Sequence, residues 1–226
     1  MIEQTEVKHH IQKHILSVLL HQQVARFRDM RAPRVDTNLY SYHLGQLVKS
    51  GFVQKTDGGY TLGTKGLIYV DRLSIGKLFV RSQPKIVTMI VIQNGYGDVL
   101  MYRKLRQPFI EKWTIPNGKI HNDDATVMDA ARREITEKVG DLSISLHHAG
   151  DCYIRTFYEN EVATTMLAHV FRGEVDDTSG IQLAGHQEWV KLREIESYNT
   201  APAVKEIIAR TLFKDPFFFE EYEAAW

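Results

Sequence analysis

At 226 residues, with 43% hydrophobic and 25% charged side chains and no low-complexity run, the chain is long enough for one large folded domain or two modest ones. The net charge is zero, yet residues 1–82 carry 12 Lys/Arg against 6 Asp/Glu, so a basic first part precedes an acidic remainder, an asymmetry that suggests two different ligands. The longest apolar run, residues 86–92, is too short to span a bilayer, the first residues lack the basic start and apolar stretch of an export signal, and Cys152 is the single cysteine, so the expectation is a cytoplasmic protein with no membrane partner and no disulfide framework.

In chain order, Val7, Ile11, Ile15, Val18 and Leu19 recur at helical spacing and predict a helix over 7–20. A short second helix fits residues 24–30 and is broken at Ala32-Pro33. Asp36 or Thr37 can cap a third helix that runs to Ser50 and ends at Gly51. Residues 52–55 and 60–62 flank Thr56-Asp57-Gly58-Gly59, a hairpin signal, and a helical stretch over 64–73 follows.

Residues 74–85 read as a linker and entry strand. Residues 86–92 then form a buried strand, Asn94 to Asp98 a turn, and Val99 to Arg103 the partner strand. A second strand pair is expected at 152–158 and 164–171 around Glu159-Asn160-Glu161, and Thr200 can cap a last helix to about Leu212 with Pro202 in its first turn. Strands interleaved with two helices, one after residue 124 and one after 200, predict an α+β fold with a mixed sheet between helices.

Two stretches carry family resemblances. Ser41-Tyr42-His43-Leu44-Gly45-Gln46-Leu47-Val48-Lys49-Ser50-Gly51-Phe52-Val53 resembles the recognition-helix signature of bacterial and archaeal winged-helix regulators, and Tyr60 to Gly66 resembles the segment after their wing. Trp113-Thr114-Ile115-Pro116-Asn117-Gly118-Lys119, followed by Ala130 to Gly140, resembles the Nudix box G-x5-E-x7-R-E-U-x-E-E-x-G-U with its preceding W-x-x-P-G-G. Arg133, Glu134, Glu137 and Gly140 fall on its invariant positions, Ile135 on its apolar one, and Glu188-Trp189-Val190 resembles a late family segment, so the likeness spans about residues 84–212. The division expected is a winged helix-turn-helix domain over 1–80 and a Nudix-like domain over 84–226.

The Nudix resemblance implies Mg²⁺ (or Mn²⁺) neutralising a diphosphate and positioning water, with Glu134, Glu137 and Glu188 as metal carboxylates. Glu134 and Glu137, three apart, share a helix face; Arg133 would anchor the helix, with Asp129 as its partner four residues back. Arg103, Gly118 and Lys119 would meet the substrate. The chain departs from the box at four places. Asn117 replaces a glycine, where asparagine suits a left-handed backbone; His121 replaces an acidic residue; the Gly118–Arg133 spacing is one residue long, so Asp124 or Ala125 takes the first Glu position; and Lys138 replaces the second Glu of the pair.

In the winged-helix stretch, Asn38, Ser41, Tyr42, Gln46 and Lys49 are expected to face the bases of double-stranded DNA, and Arg26, Arg28 and Lys55 its phosphates. A dimerisation role for that unit is the competing reading. His9, His10 and His14 read as a surface helix, His147-His148 as a loop or strand edge, and Tyr153, Phe157 and Tyr158 as strand core, with stacking on a nucleobase the competing reading. The aromatic tail from Phe217 to Trp226 is expected to dock on its own domain or on a second copy of the chain, which would make a homodimer. Two functions follow: a Mg²⁺-dependent hydrolase of a nucleoside diphosphate-linked substrate, favoured by Arg-Glu-x-x-Glu, or a transcriptional regulator sensing a nucleotide metabolite without hydrolysing it, favoured by Lys138.

Overall fold

Ile11, Ile15, Leu16 and Leu19, all buried, make one side of α1 (His10–His21), and the His9 side chain caps its first turn by accepting from the Ile11 amide at 3.2 Å. The computed structural model describes residues 7–74, 79–80, 83–176, 178, 181–213 and 217–225, and the chain divides into two compact units, residues 1–82 and 83–226.

In the first unit α1 is followed by α2 (Phe27–Met30), α3 (Thr37–Lys49), the antiparallel hairpin β1 (Val53–Thr56) and β2 (Gly59–Leu62), then α4 (Thr64–Asp71) and a short pair, β3 (Leu73–Ser74) and β4 (Phe79–Val80). Asp36 caps α3, its Oδ1 accepting from the Asn38 and Leu39 amides at 2.9 and 3.0 Å. The α2 helix starts three residues later than expected because Ala25 exchanges both backbone hydrogen bonds with Tyr60 of the hairpin, which takes it out of helical geometry. Buried Tyr40 donates to the Met30 carbonyl at 2.6 Å and ties α3 to the end of α2.

The second unit is built on one mixed sheet of eight strands. Its path is β11 (Gln187–Val190), β6 (Val99–Arg103), β5 (Lys85–Asn94), β10 (Glu161–Val175), β9 (Ser145–Tyr158) and β12 (Phe218–Ala225), with β7 (Trp113–Thr114) beside β6 and β8 (Asn117–Lys119) beside β5. The β10–β5 and β12–β9 pairs are parallel and the others antiparallel. Because β5 is covered on both faces, it is buried continuously from Val87 to Asn94 instead of alternating. On one face Val87, Met89, Val91, Cys152, Ile154 and Val170 pack with α6 (Val204–Leu212); on the other Ile90, Ile92 and Phe171 pack with α5 (Val127–Lys138).

Several expectations change at the level of pairing. The β9–β10 hairpin is longer than predicted, 14 and 15 residues, and turns on Glu159 and Asn160, both at positive φ as a two-residue turn requires. His147 and His148 lie in β9 ahead of Gly150, where β12 begins to pair, so they are exposed and paired with β10 alone among the described residues, at a strand edge as expected. Tyr153 and Phe157 are only half-buried and Tyr158 is exposed, because Cys152 and Ile154 hold the inner positions. The last helix begins at Val204, not beside Thr200, because the backbone around Thr200 bridges to Trp113 on both sides. The aromatic tail is the sheet strand β12 on its own unit, with Phe218 turned into the core. Trp226 lies outside the described residues.

Candidate functional site

Thr126 caps α5 by accepting from the Asp129 amide at 3.1 Å, and Ala130 and Ala131 give the helix a low face that packs closely on the sheet. That close approach brings Glu134 down onto β8. A side chain at Gly118 would occupy the space of the Glu134 carboxylate, so the glycine is required for room. Asn117 does not adopt the left-handed backbone its place in the box suggests. It is a strand residue whose amide nitrogen donates to Ile115 O at 2.7 Å, Thr114 Oγ1 at 3.1 Å and Tyr102 Oη at 3.2 Å, which pins the loop.

The extra residue between Gly118 and Arg133 leaves Asp124 in reach of the helix. Arg133 donates to both oxygens of Asp124, Nε to Oδ1 and Nη2 to Oδ2, each at 2.9 Å, and Nη2 also reaches Lys119 O at 3.0 Å. Asp124, not Asp129, is thus the partner that orients Arg133; Asp129 lies by Arg132 at 3.7 Å. These hydrogen bonds, with one from the His121 amide, hold the Asp124 carboxyl well below the usual carboxylate range.

Glu134 is buried at 5% exposure and faces two cations: Arg133 Nη1 at 2.7 Å from Oε1, and Lys138 Nζ on Oε2. The same ammonium also donates to Asn117 O. A backbone carbonyl and a buried carboxylate therefore converge on one point, and a lysine ammonium occupies it. Glu137 is more than half exposed and only lightly held by Arg133 at 3.4 Å. Glu188 accepts from Tyr198 Oη at 2.9 Å on the α6 face of the sheet, while its neighbour Gln187 reaches Lys138 O on the α5 face; the structure does not bring Glu188 to Glu134. These donors do not fit a divalent ion on Glu134: the carboxylate is already neutralised and a positive charge sits between its oxygen and the carbonyl.

Beside this point lies a cavity of about 170 Å³, lined by Lys85, Lys104, Asn117, Gly118 and Lys119, with an apolar wall that includes Met89, Phe109 and Ile154. Lys104 is held below the ordinary lysine range by burial and by the ammonium groups of Lys138 and Lys85, and no carboxylate pairs with it among the described residues. Lys85 donates to Thr164 Oγ1 at 3.1 Å. Gly118 and Lys119 line this cavity, whereas Arg103 is turned to Glu111 at 2.9 Å and does not line it. Lys85 and Lys104 were invisible as site residues, since only the β5–β8 and β6–β7 pairings bring their strands to the loop.

In the first unit Asn38, Ser41, Tyr42, Gln46, Lys49, Arg26, Arg28 and Lys55 are all exposed. A hollow of about 600 Å³ lies between α3, through Thr37, Ser41, Gly45 and Lys49, and the hairpin, through Lys55 and Tyr60.

Comparison with known proteins bears on the second unit. RNA pyrophosphohydrolase of Bartonella henselae is 27% identical over 109 residues, 46% of this chain and 62% of that protein, so the chain matches less than two-thirds of that relative's length. Among solved structures, the MutT protein of Methanosarcina mazei Go1 is 25% identical over 58% of this chain and 95% of that one, with a TM-score of 0.46. The NUDIX domain of Shewanella oneidensis NrtR, solved with ADP ribose, is 15% identical and covers 64% of this chain and 94% of that one, with a TM-score of 0.50. The NUDIX domain model matches residues 83–211, more than half of the chain, and the protein belongs to that family.

Proposed function

We propose that the NUDIX unit binds a nucleoside diphosphate-linked metabolite as an effector and does not cleave it by the metal-assisted route. The observation that carries this reading is the Lys138 ammonium held between Glu134 and the Asn117 carbonyl. Lys85, Lys104 and Lys119 line the cavity and supply the positive charge that a diphosphate needs, and the apolar wall suits a base or ribose. The cavity is smaller than the roughly 300–1,000 Å³ of a typical ligand cleft, so one end of the ligand enters it and the rest lies across the mouth. The hydrolase reading rests on Arg133, Glu134 and Glu137 at the box positions; it requires Lys138 to swing out along its flexible stem and leave Glu134 to Mg²⁺ or Mn²⁺.

For the first unit, the basic charge, the exposed α3 side chains and the hairpin support a winged helix-turn-helix bound to double-stranded DNA, with the NUDIX unit as its sensor. The test is a panel of nucleotide sugars, dinucleotides and nucleoside triphosphates, titrated with EDTA and then incubated with Mg²⁺ or Mn²⁺. The expected result is binding that survives EDTA, without product. Turnover that requires Mg²⁺ would replace this reading with the hydrolase one.

A further inference from the structure

A second cluster, unrelated to the box, lies where β9 meets β10. Residues 148 and 151 are three apart in a strand and would ordinarily face opposite sides of the sheet. A register shift prevents that: Val170 pairs with Gly150, but Phe171 pairs with His148, so Ala149 is the extra residue of a bulge. The bulge resets the alternation and brings His148 to the face of Asp151. His169 is the direct cross-strand partner of Asp151 on β10. His148 Nε2 lies 2.8 Å and His169 Nδ1 2.7 Å from Asp151 Oδ1, and all three ligand atoms lie within 4.8 Å of one another. Among the described residues, this is the one grouping of three such ligand atoms.

We infer that His148, Asp151 and His169 form a binding site for a divalent transition-metal ion of the zinc class. Two imidazoles and one carboxylate are the donors such an ion prefers, whereas Mg²⁺ and Ca²⁺ select all-oxygen sites. Tetrahedral zinc needs its ligand atoms roughly 3.3 Å apart, given Zn–N near 2.0–2.1 Å, so small side-chain rotations that open the two hydrogen bonds suffice. The protons on His148 Nε2 and His169 Nδ1 move to the other ring nitrogens, and the freed lone pairs coordinate. Side-chain exposures of 38, 23 and 20% leave an entry path and a fourth position for water. Phe171 stacks on the His148 ring at 5.0 Å and Phe217 meets it edge-on at 5.2 Å, which orients the imidazole before metal arrives. The lysine-lined cavity is also walled by Ile154 and Met166 of these two strands, but each stands three residues from Asp151 or His169 and is turned to the α6 face. His148 instead stacks on Phe171 of the α5 face, so the two sites lie on opposite sides of the sheet.

The untagged full-length chain, stripped with a chelator, is titrated with Zn²⁺ and with Co²⁺, and the imidazole ¹⁵N resonances are followed by NMR. We expect one equivalent bound, visible Co²⁺ bands of low coordination number, and shifts assigned to His148 and His169. His169→Gln and Asp151→Asn each weaken Zn²⁺ by more than about tenfold, since even supporting residues of metal sites are worth that much. ADP binding, measured in parallel, is unchanged in His169→Gln, so the two sites fail or stand separately. No bound Zn²⁺, or Zn²⁺ that shifts other imidazoles such as those of His9, His10 or His14, overturns the proposal. The NMR result comes from the parent chain and holds even where a variant does not fold.

Discussion

Lys138 stands one helical turn after Glu134 and donates to its buried carboxylate, so α5 carries its own counter-ion at the place where the box puts a second acid. On a solvated helix such a pair is worth about 0.3–0.5 kcal/mol. Here Glu134 is buried beneath the β8 backbone, and the same ammonium also holds the Asn117 carbonyl, so the pair determines what else can bind.

Replacing Lys138 by glutamate removes that cation and adds a carboxylate beside Glu134. An ammonium about 5 Å from a divalent ion opposes it by several kcal/mol at an effective dielectric of about 20. Lys138→Glu is therefore expected to bind Mg²⁺ at least tenfold more tightly than the parent by calorimetry. Equal affinity would mean that Lys138 is not what keeps the metal out.

Asp124 sets an acid limit on this loop. Its carboxyl is depressed by Arg133, so its contribution to stability is present above the unfolded value near 4 and is lost as pH falls from there through the lower folded value. Melting temperatures of the parent should drop more steeply between pH 5 and pH 3 than those of Asp124→Asn. Parallel curves would remove Asp124 from the acid transition.

Lys104 is a desolvated ammonium near two others, an arrangement that costs stability unless an anion shares the cavity. Lys104→Met should raise the melting temperature of the ligand-free protein and weaken ADP binding by about tenfold, about 1.4 kcal/mol. Weaker binding together with a lower melting temperature would indicate a structural lysine instead.

For the first unit, full-length chain carrying Arg26→Ala and Arg28→Ala should bind all duplexes more weakly and with a shallower salt dependence, because each lost phosphate contact releases fewer counter-ions. Gln46→Ala should alter preference among sequences while leaving non-specific binding in place. Fluorescence anisotropy at several salt concentrations measures both, and undetectable binding to any duplex would end the DNA reading.

What was legible in the sequence is what depends on near neighbours. The stripe of α1, the Asp36 cap and the helix carrying Arg133, Glu134 and Glu137 follow from periodicity and local hydrogen bonding. Where the expectation erred locally, distant backbone had taken the hydrogen bonds: Tyr60 holds Ala25 out of α2, and Trp113 holds the Thr200 segment out of α6.

The chain's residues by themselves determined the two-part organisation, the elements and the lysine in place of an acid, because those are properties of spacing and residue type. Only the tertiary structure decided that Arg133 pairs with Asp124 and not Asp129, that Lys138 reaches a carbonyl 21 residues back, and that His148, Asp151 and His169 meet. The physical reason is that strand register and helix docking fix distances between residues far apart in sequence, and a single extra residue in β9 changes which side of the sheet a histidine faces.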